Sequence, residues 1–346
     1  MPPATPDAIR FKGAPGSPYT RKMMAYLRYR HIPYRFLLGS HGQLGDLPKP
    51  KVELLPTFYL PDAKGDIEAV VDSTPIIRRL EREIHGRHVL PADPALAFID
   101  ALIEDYADEW LTKAMFHYRW VYPADIDKAG DILPLWRNVS APHGEWQAMK
   151  KLFCERQIGR LRYVGSNETT GHVIEESYKR FITLLENHLA TAPFLMGHRP
   201  GASDFGVYGQ LTQLTHFDPT PMALTLSLAP RSYAWIDVMD DLSGLEVADA
   251  GFADAPTLAP TLKAILGEIG RVYAPLLIAN AKAAMAKAET VETTIDGATW
   301  VQQTFPYQAK CLAELRAQYA ALGRDQRRSV DRALSGTGCE VLVAGA

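Results

Sequence analysis

Between the apolar runs at 52–60 (VELLPTFYL) and 67–71 (IEAVV) the chain leaves only Pro61-Asp62-Ala63-Lys64-Gly65-Asp66. That is turn chemistry with no helix in it, so the two runs read as successive strands joined by a turn. Upstream, a strand at 9–14, a helix at 19–30 and a strand at 33–38 read as a β-α-β unit. Downstream, Asp72-Ser73-Thr74-Pro75 ends the last strand and opens a helix over 75–85. An order of β-α-β followed by β-β-α excludes an all-parallel doubly wound sheet, which needs a helix between its last two strands as well. Pro56 lies inside the 52–60 run and removes a ladder donor there, which requires an edge, a bulge or a cis bond.

Phe11 to Tyr29, FKGAPGSPYTRKMMAYLRY, carries the chemistry of a strand, a tight turn and a helix start. Ser17 is a good N-cap, and Pro18 suits the first helical position, where its missing N–H costs nothing. Unpaired N–H groups and partial positive charge gather at such a terminus, so a hydroxyl there can help to hold an anion such as a thiolate. Met23, Met24, Leu27 and Tyr29 read as the core face of that helix. Residues 39–51 predict an irregular loop, and 86–94 (GRHVLPADP) a linker. Beyond it the pattern is helical, over 95–120, 170–191, 202–216, 231–242 and 258–287. The stretch 122–166 is richer in Pro, Gly and polar residues and reads as an insertion with short helices. Asp296-Gly297 between two Thr/Val/Ile-containing runs predicts a hairpin over 290–303. Helices near 307–321 and 325–334 and a terminal apolar run at 340–343 follow.

A chain of 346 residues has room for two domains with real cores. Hydrophobic content of 47% with 22% charged residues fits a globular chain. The formal net charge of -3 gives no electrostatic case for nucleic acid or an anionic membrane, and Arg28-Tyr29-Arg30-His31 reads as a solvated helix face. The N-terminal residues MPPATPDAIRF lack the features of a secretory signal, and every apolar stretch is broken before a bilayer span is reached. Cys154, Cys311 and Cys339 are few, odd in number and far apart, which predicts a reducing compartment, the cytoplasm, and no disulfide framework or thiolate metal cluster. The sequons at Asn138 and Asn167 then read as chance matches. Asp105, Asp108 and Glu109 are expected to face water and not to bind a metal, and His85 and His88 flank a helix end with no ligand partner. Gly13, Pro15 and Gly16 make no dinucleotide fingerprint.

These pieces resemble the glutathione transferase superfamily, a thioredoxin-like α/β domain followed by an all-helical domain, over residues 1 to about 245. Gly16-Ser17-Pro18-Tyr19-Thr20 looks like the active-site turn of that superfamily. Leu55-Pro56 looks like its cis-proline site, where the backbone before the proline pairs with the cysteinyl part of glutathione. Asp72-Ser73 looks like the acidic-Ser pair that holds the γ-glutamyl end. A weaker sign is Phe194-Leu195-Met196-Gly197 leading to Pro200-Gly201-Ala202-Ser203-Asp204-Phe205, which looks like the capping motif of the helical domain. Gly201 stands where that motif usually has Ser or Thr, which leaves the capping to Asp204. Asp72 is shorter than the usual Glu or Gln, and Leu54 replaces the usual lysine before the cis-proline, with Lys51 near.

The resemblance implies domains at 1–86 and 95–346, the second with an insertion at about 121–168 and an extension at about 258–346. It implies glutathione as co-substrate, an apolar electrophile as its partner, no metal, and a homodimer. Ser17 is the first candidate to donate to the glutathione thiol and Tyr19 the second; Leu55, Pro56, Asp72 and Ser73 would bind the tripeptide. The electrophile would lie against Tyr106, Trp110 and His117, which share a helix face with Lys113. No cysteine precedes Cys154, so glutathione-dependent reduction through a first-domain thiol is disfavoured. Two readings stay open: a detoxifying transferase, and a non-catalytic binding or scaffold protein of the same fold.

Overall fold

The computed structural model describes residues 8–38, 45–247, 251–254 and 257–344. The N-terminal segment 1–7 and residues 39–44 of the predicted loop lie outside the described residues. The first unit runs β1 (Ile9–Lys12), α1 (Pro18–Tyr29), β2 (Tyr34–Leu37), β3 (Thr57–Pro61), β4 (Ile67–Val71) and α2 (Ser73–Glu83). The sheet order is β2-β1-β3-β4, with β1 parallel to β2 and both β1/β3 and β3/β4 antiparallel. This is the mixed sheet of a thioredoxin-like domain. Phe11 and Phe58 stack at its centre, with ring centroids 4.7 Å apart.

The 52–60 run divides at its proline. Only Thr57 onward joins the ladder; before it, Leu54 N–H donates to Val52 O at 3.0 Å, and the Leu55-Pro56 bond is cis. Pro56 has no N–H to give a neighbouring strand, so pairing begins one residue later.

The helical part begins with α3 (Pro94–Tyr106), a π-helical turn (Ala107–Leu111) and α4 (Thr112–Val121), where the sequence pattern suggested one continuous helix. Next come α5 (Pro123–Leu135) and α6 (His143–Ile158), longer than the short helices expected there, then α7 (Gly171–Leu189) and α8 (Ala202–His216). The sequence pattern did not show α9 (Pro219–Leu228), which buries only Pro221 and Thr225 and so has no apolar stripe; α10 (Pro230–Asp240) follows it. The last part contains α11 (Pro260–Met285), the hairpin β5 (Thr290–Ile295) and β6 (Ala298–Gln303), α12 (Pro306–Ala321), α13 (Arg324–Leu334) and the one-turn α14 (Glu340–Val343). A single apolar core joins the sheet to α3, α7, α8, α11 and the hairpin. No described helix is long and apolar enough to cross a membrane.

Two close approaches fix α8 beneath the first unit. Gly209 lies against the start of α1, where a Cβ would meet the Pro18 carbonyl at 2.6 Å. At the other end, Asp204 accepts from the N–H groups of Leu195 and Gly201, both at 2.8 Å, while Asp100 of α3 accepts from those of Ala202 and Ser203 at 3.1 and 3.0 Å. This corrects the expectation that Asp204 caps the helix alone. Asp100 supplies from another helix what a Ser or Thr at 201 would have supplied, and its carboxylate fills the space a side chain at Gly201 would need.

Candidate functional site

Register brings three sequence motifs to one end of the sheet. Lys12 pairs with Thr57 and Thr57 with Val71, so a single row crosses β1, β3 and β4. Just beyond that row lie the turn leading to Ser17, the cis Pro56, and Asp72-Ser73. Ser17 is the N-cap of α1, with Pro18 in the first turn. Its Oγ accepts from Thr20 N–H at 3.3 Å and donates to the Leu55 carbonyl at 3.4 Å. The second bond is long and therefore weak, so the hydroxyl can redirect its proton at little cost.

The turn is held from below. Arg119 of α4 is buried, makes a double contact with the Asp218 carboxylate at 2.8–3.1 Å, and donates to the Gly16 carbonyl at 3.1 Å and to Gln213 Oε1 at 2.8 Å. Gln213 and Arg21 both donate to the Pro15 carbonyl, at 3.2 and 3.1 Å. From above, Leu133 and Trp136 of α5 and its C-terminus pack on Gly16 so closely that a Cβ there would overlap both. The insertion therefore borders the Ser17 turn.

Tyr19, the second candidate donor, gives its phenolic proton to the Asp108 carbonyl at 2.7 Å. Burial, with Glu109 and Asp108 adding to it, pushes that phenol well above its ordinary value. Beneath α2 a buried ionic cluster joins the two units: Lys22 Nζ lies 2.6 Å from Asp108 Oδ2, 2.8 Å from Glu104 Oε1 and 3.3 Å from Thr74 Oγ1, and Arg78 reaches Glu104 at 2.6 Å. Burial alone would raise the Glu104 carboxyl, but Arg78 and Lys22 outweigh it and hold the group down at about 2. For Asp108 burial wins over Lys22, and the carboxyl is pushed up to about 6. Sequence reasoning missed Lys22, although it shares a helix face with Tyr26 and Tyr29, four and seven positions on.

The three residues expected to face an electrophile lie elsewhere. Tyr106, Trp110 and His117 do share one helix face, but that face is core: Tyr106 packs on Phe181 and Tyr273, and Trp110 packs against Trp300 with ring centroids 5.2 Å apart and donates to Ser177 Oγ at 3.0 Å. His117 is held between Ser166 Oγ at 2.7 Å and Glu175 Oε1 at 3.1 Å. Part of the cover comes from α7, and part, Tyr273 and Trp300, from α11 and the hairpin, to which the resemblance does not extend.

The opposite face of the same helix lines a cleft of about 730 Å³ between α2, α3 and α12. Asp72, Arg78, Asp105, Asp108, Glu109 and Tyr307 all border it. This corrects the expectation that Asp105, Asp108 and Glu109 meet bulk water: Asp108 and Glu109 are buried. Burial is the first cause pushing Asp105 to about 7 and Glu109 to about 8; Asp108 and Glu104 add to the rise at Asp105, and Asp105 and Asp108 to that at Glu109. Cys311 borders the cleft as well, yet burial, then Asp105 and Glu109, push its thiol far above its ordinary value. Those surroundings disfavour its thiolate, the form that attacks.

Residues 12–88 match the family described as "Glutathione S-transferase, N-terminal domain". The match is confined to the first domain, the part that holds the mixed sheet, the cis-proline and the helix start at Ser17. No curated protein matches the chain. Among solved structures, a GST-like protein from Pseudomonas syringae is 16% identical, with a TM-score of 0.43 over 67% of this chain and 66% of its own. This chain thus spans just under two thirds of that protein's length. A glutathione transferase family member from Pseudomonas fluorescens Pf-5, with two glutathione bound, is 14% identical with a TM-score of 0.42 over 68% of this chain and 90% of its own. A glutathione S-transferase from Rhodospirillum rubrum F11 is 17% identical, TM-score 0.42, over 71% and 96%.

Proposed function

We propose that the chain binds glutathione along the Ser17–Pro56–Asp72 end of the sheet and activates its thiol with the Ser17 hydroxyl for attack on an apolar electrophile. The observation that carries this reading is the Ser17 Oγ contact to the Leu55 carbonyl at 3.4 Å, at the N-terminus of α1. On binding, the cysteinyl N–H of the tripeptide takes the Leu55 carbonyl, and the freed hydroxyl donates to the sulfur. Tyr19 is a poorer candidate, because its proton is already committed to Asp108 O. Leu55 and Pro56 then form the backbone edge for the peptide, and Asp72 with Ser73, at the start of α2, its γ-glutamyl end.

The glutathione thiol has an ordinary pKa of about 8.5, and lowering it by two units takes about 2.7 kcal/mol. A charge-assisted hydrogen bond and a helix N-terminus together supply that amount. The step is a proton leaving the thiol for solvent while Ser17 and the terminus stabilise the sulfur anion. The anion then bonds to the electrophile's carbon, either opening an activated double bond whose electron pair takes up a proton from solvent or expelling a leaving group that departs with the bonding pair.

Titration with glutathione tests the reading. Binding should weaken about tenfold in Ser73→Ala, and the ultraviolet absorbance of the bound thiolate should move to higher pH in Ser17→Ala. Absence of binding in the parent protein sinks the proposal, and an unchanged thiolate titration in Ser17→Ala shows that another group is the donor.

A second reading, glutathione binding without transferase chemistry, is favoured by one observation. Tyr106, Trp110 and His117 are sealed into the core, and Leu133 and Trp136 close on the turn where an electrophile would approach. A normal thiolate shift with no turnover of any apolar electrophile would establish it. The homodimer and a detoxifying role are carried by the resemblance alone, and the cytoplasmic location by the few, odd and widely spaced cysteines.

A further inference from the structure

Tyr307, in the first turn of α12, donates its phenolic proton to Asp72 Oδ2 at 2.5 Å, across 235 positions of sequence. Asp72 needs such a partner. Its backbone has φ of 81°, unusual for a residue with a side chain, and its carboxylate makes no capping bond to α2. The Tyr307 bond therefore decides where the carboxylate points, and Asp72 Oδ1 makes no bond to Tyr307.

The cleft that opens beside this pair holds further unmet polar atoms. Asp108 Oδ1 and Arg78 Nη1 are buried and have no hydrogen-bond partner, and both residues line the cleft. The residues lining the cavity thus include the carboxylates Asp72 and Asp108 and the guanidinium Arg78 together with the apolar Leu90, Phe98, Leu315 and Leu322. Carboxylate beside guanidinium is the complement of an α-amino-acid head, whose ammonium and carboxylate sit on one carbon.

We propose that the C-terminal segment is part of the tripeptide site: Tyr307 is a positioning residue that orients Asp72 toward the α-ammonium of the γ-glutamyl residue, and the α3–α12 cleft receives that amino-acid head. The inference rests on the glutathione reading above and deepens it. It gives the last hundred residues a role in ligand choice, since a thiol lacking the α-ammonium gains nothing from Asp72 or from Tyr307.

The test compares two ligands, glutathione and its desamino analogue with hydrogen in place of the α-ammonium, by calorimetric titration of the full chain. Tyr307 is 40% exposed, so Tyr307→Phe keeps the ring and the fold, which a melting curve verifies. Tyr307→Phe should weaken glutathione about fivefold and leave the desamino analogue within about twofold. In an Asp72→Asn background the same change should add no further loss, because Tyr307 acts through Asp72. Equal losses for both ligands, or an undiminished loss in the Asp72→Asn background, overturn the proposal. So does an unchanged Tyr307→Phe where Ser73→Ala weakens binding; in that case the glutathione reading stands and only this inference falls. If the parent protein does not bind glutathione, both fall together.

Discussion

Two segments that the sequence reads as additions, α5–α6 and the part from α11 onward, border the candidate site, and they are built differently. The α5–α6 pair borders the Ser17 turn through Leu133 and Trp136, yet α6 has no fully buried residue and the pair packs around a small separate cluster with Trp120, Ala129 and Phe217. The segment from α11 onward borders the Asp72 end through Tyr307, and α11 buries Leu262, Ile265, Ile269, Val272 and Leu276 in the main core. One addition is laid on the molecule and the other is part of what holds it together. Each borders a different end of the same candidate site, so the α5–α6 cover on the Ser17 turn can change at little cost to the fold, and the C-terminal cover beside Asp72 cannot.

Variants can break that contrast. The largest effect is expected at Arg119, which holds the Ser17 turn from the core and not from the insertion. Arg119→Met leaves Asp218 buried and unpaired, and urea denaturation should show a loss of about 3–5 kcal/mol. Ile269→Ala in α11 removes a fully buried side chain and should cost about 2–4 kcal/mol by the same measurement. A loss below about 1 kcal/mol there would make the C-terminal segment as peripheral as the insertion.

A smaller effect is expected from pH, and part of it belongs to the C-terminal side; Asp204, raised to about 8 by burial, adds to it from α8. Asp105, raised to about 7 by burial, takes its hydrogen bond from Tyr273 of α11 at 2.6 Å. A carboxyl raised in the folded state binds its proton more tightly there than in the unfolded chain. Its stabilising contribution is complete below the ordinary carboxylate range and is lost as pH rises through about 7. Glu109, at about 8, acts in the same direction. The melting temperature should therefore fall between about pH 4.5 and about pH 8.5, and Asp105→Asn should flatten part of that slope. A melting temperature that rises over this range contradicts the assignment. The smallest effect is expected at Leu152 of α6, 67% exposed, where Ala should change stability by no more than about 0.5 kcal/mol.

Local chemistry was readable in the sequence and long-range pairing was not. Ser17-Pro18 as a helix start, the awkward Pro56 and the turn between the last two strands each act within a few residues, and each appears where the residue types require. The face carrying Tyr106, Trp110 and His117 was also readable as a face. Its partner was not, because Trp300 comes from a hairpin nearly two hundred positions later. Lys22 and Tyr307 escaped notice for the same reason: a lysine in a helix and a tyrosine near a helix start look ordinary until Asp108 and Asp72 are placed beside them. The π-helical turn at Ala107–Leu111 leaves no mark in the apolar spacing, yet it carries Asp108 and Glu109 at the cleft.

The cap of α8 has a consequence for the order in which the molecule can be assembled. Asp204 belongs to the helix it caps and can act as soon as that helix turns. Asp100 belongs to α3, and its two bonds to Ala202 and Ser203 exist only after α3 has docked. The start of α8 is thus half self-made and half borrowed, and the empty Cα of Gly201 is the slot through which the loan is made. The helix that lies against Pro18 beneath the Ser17 turn and the helix that lines the cleft beside Asp72 are consequently clasped by one carboxylate.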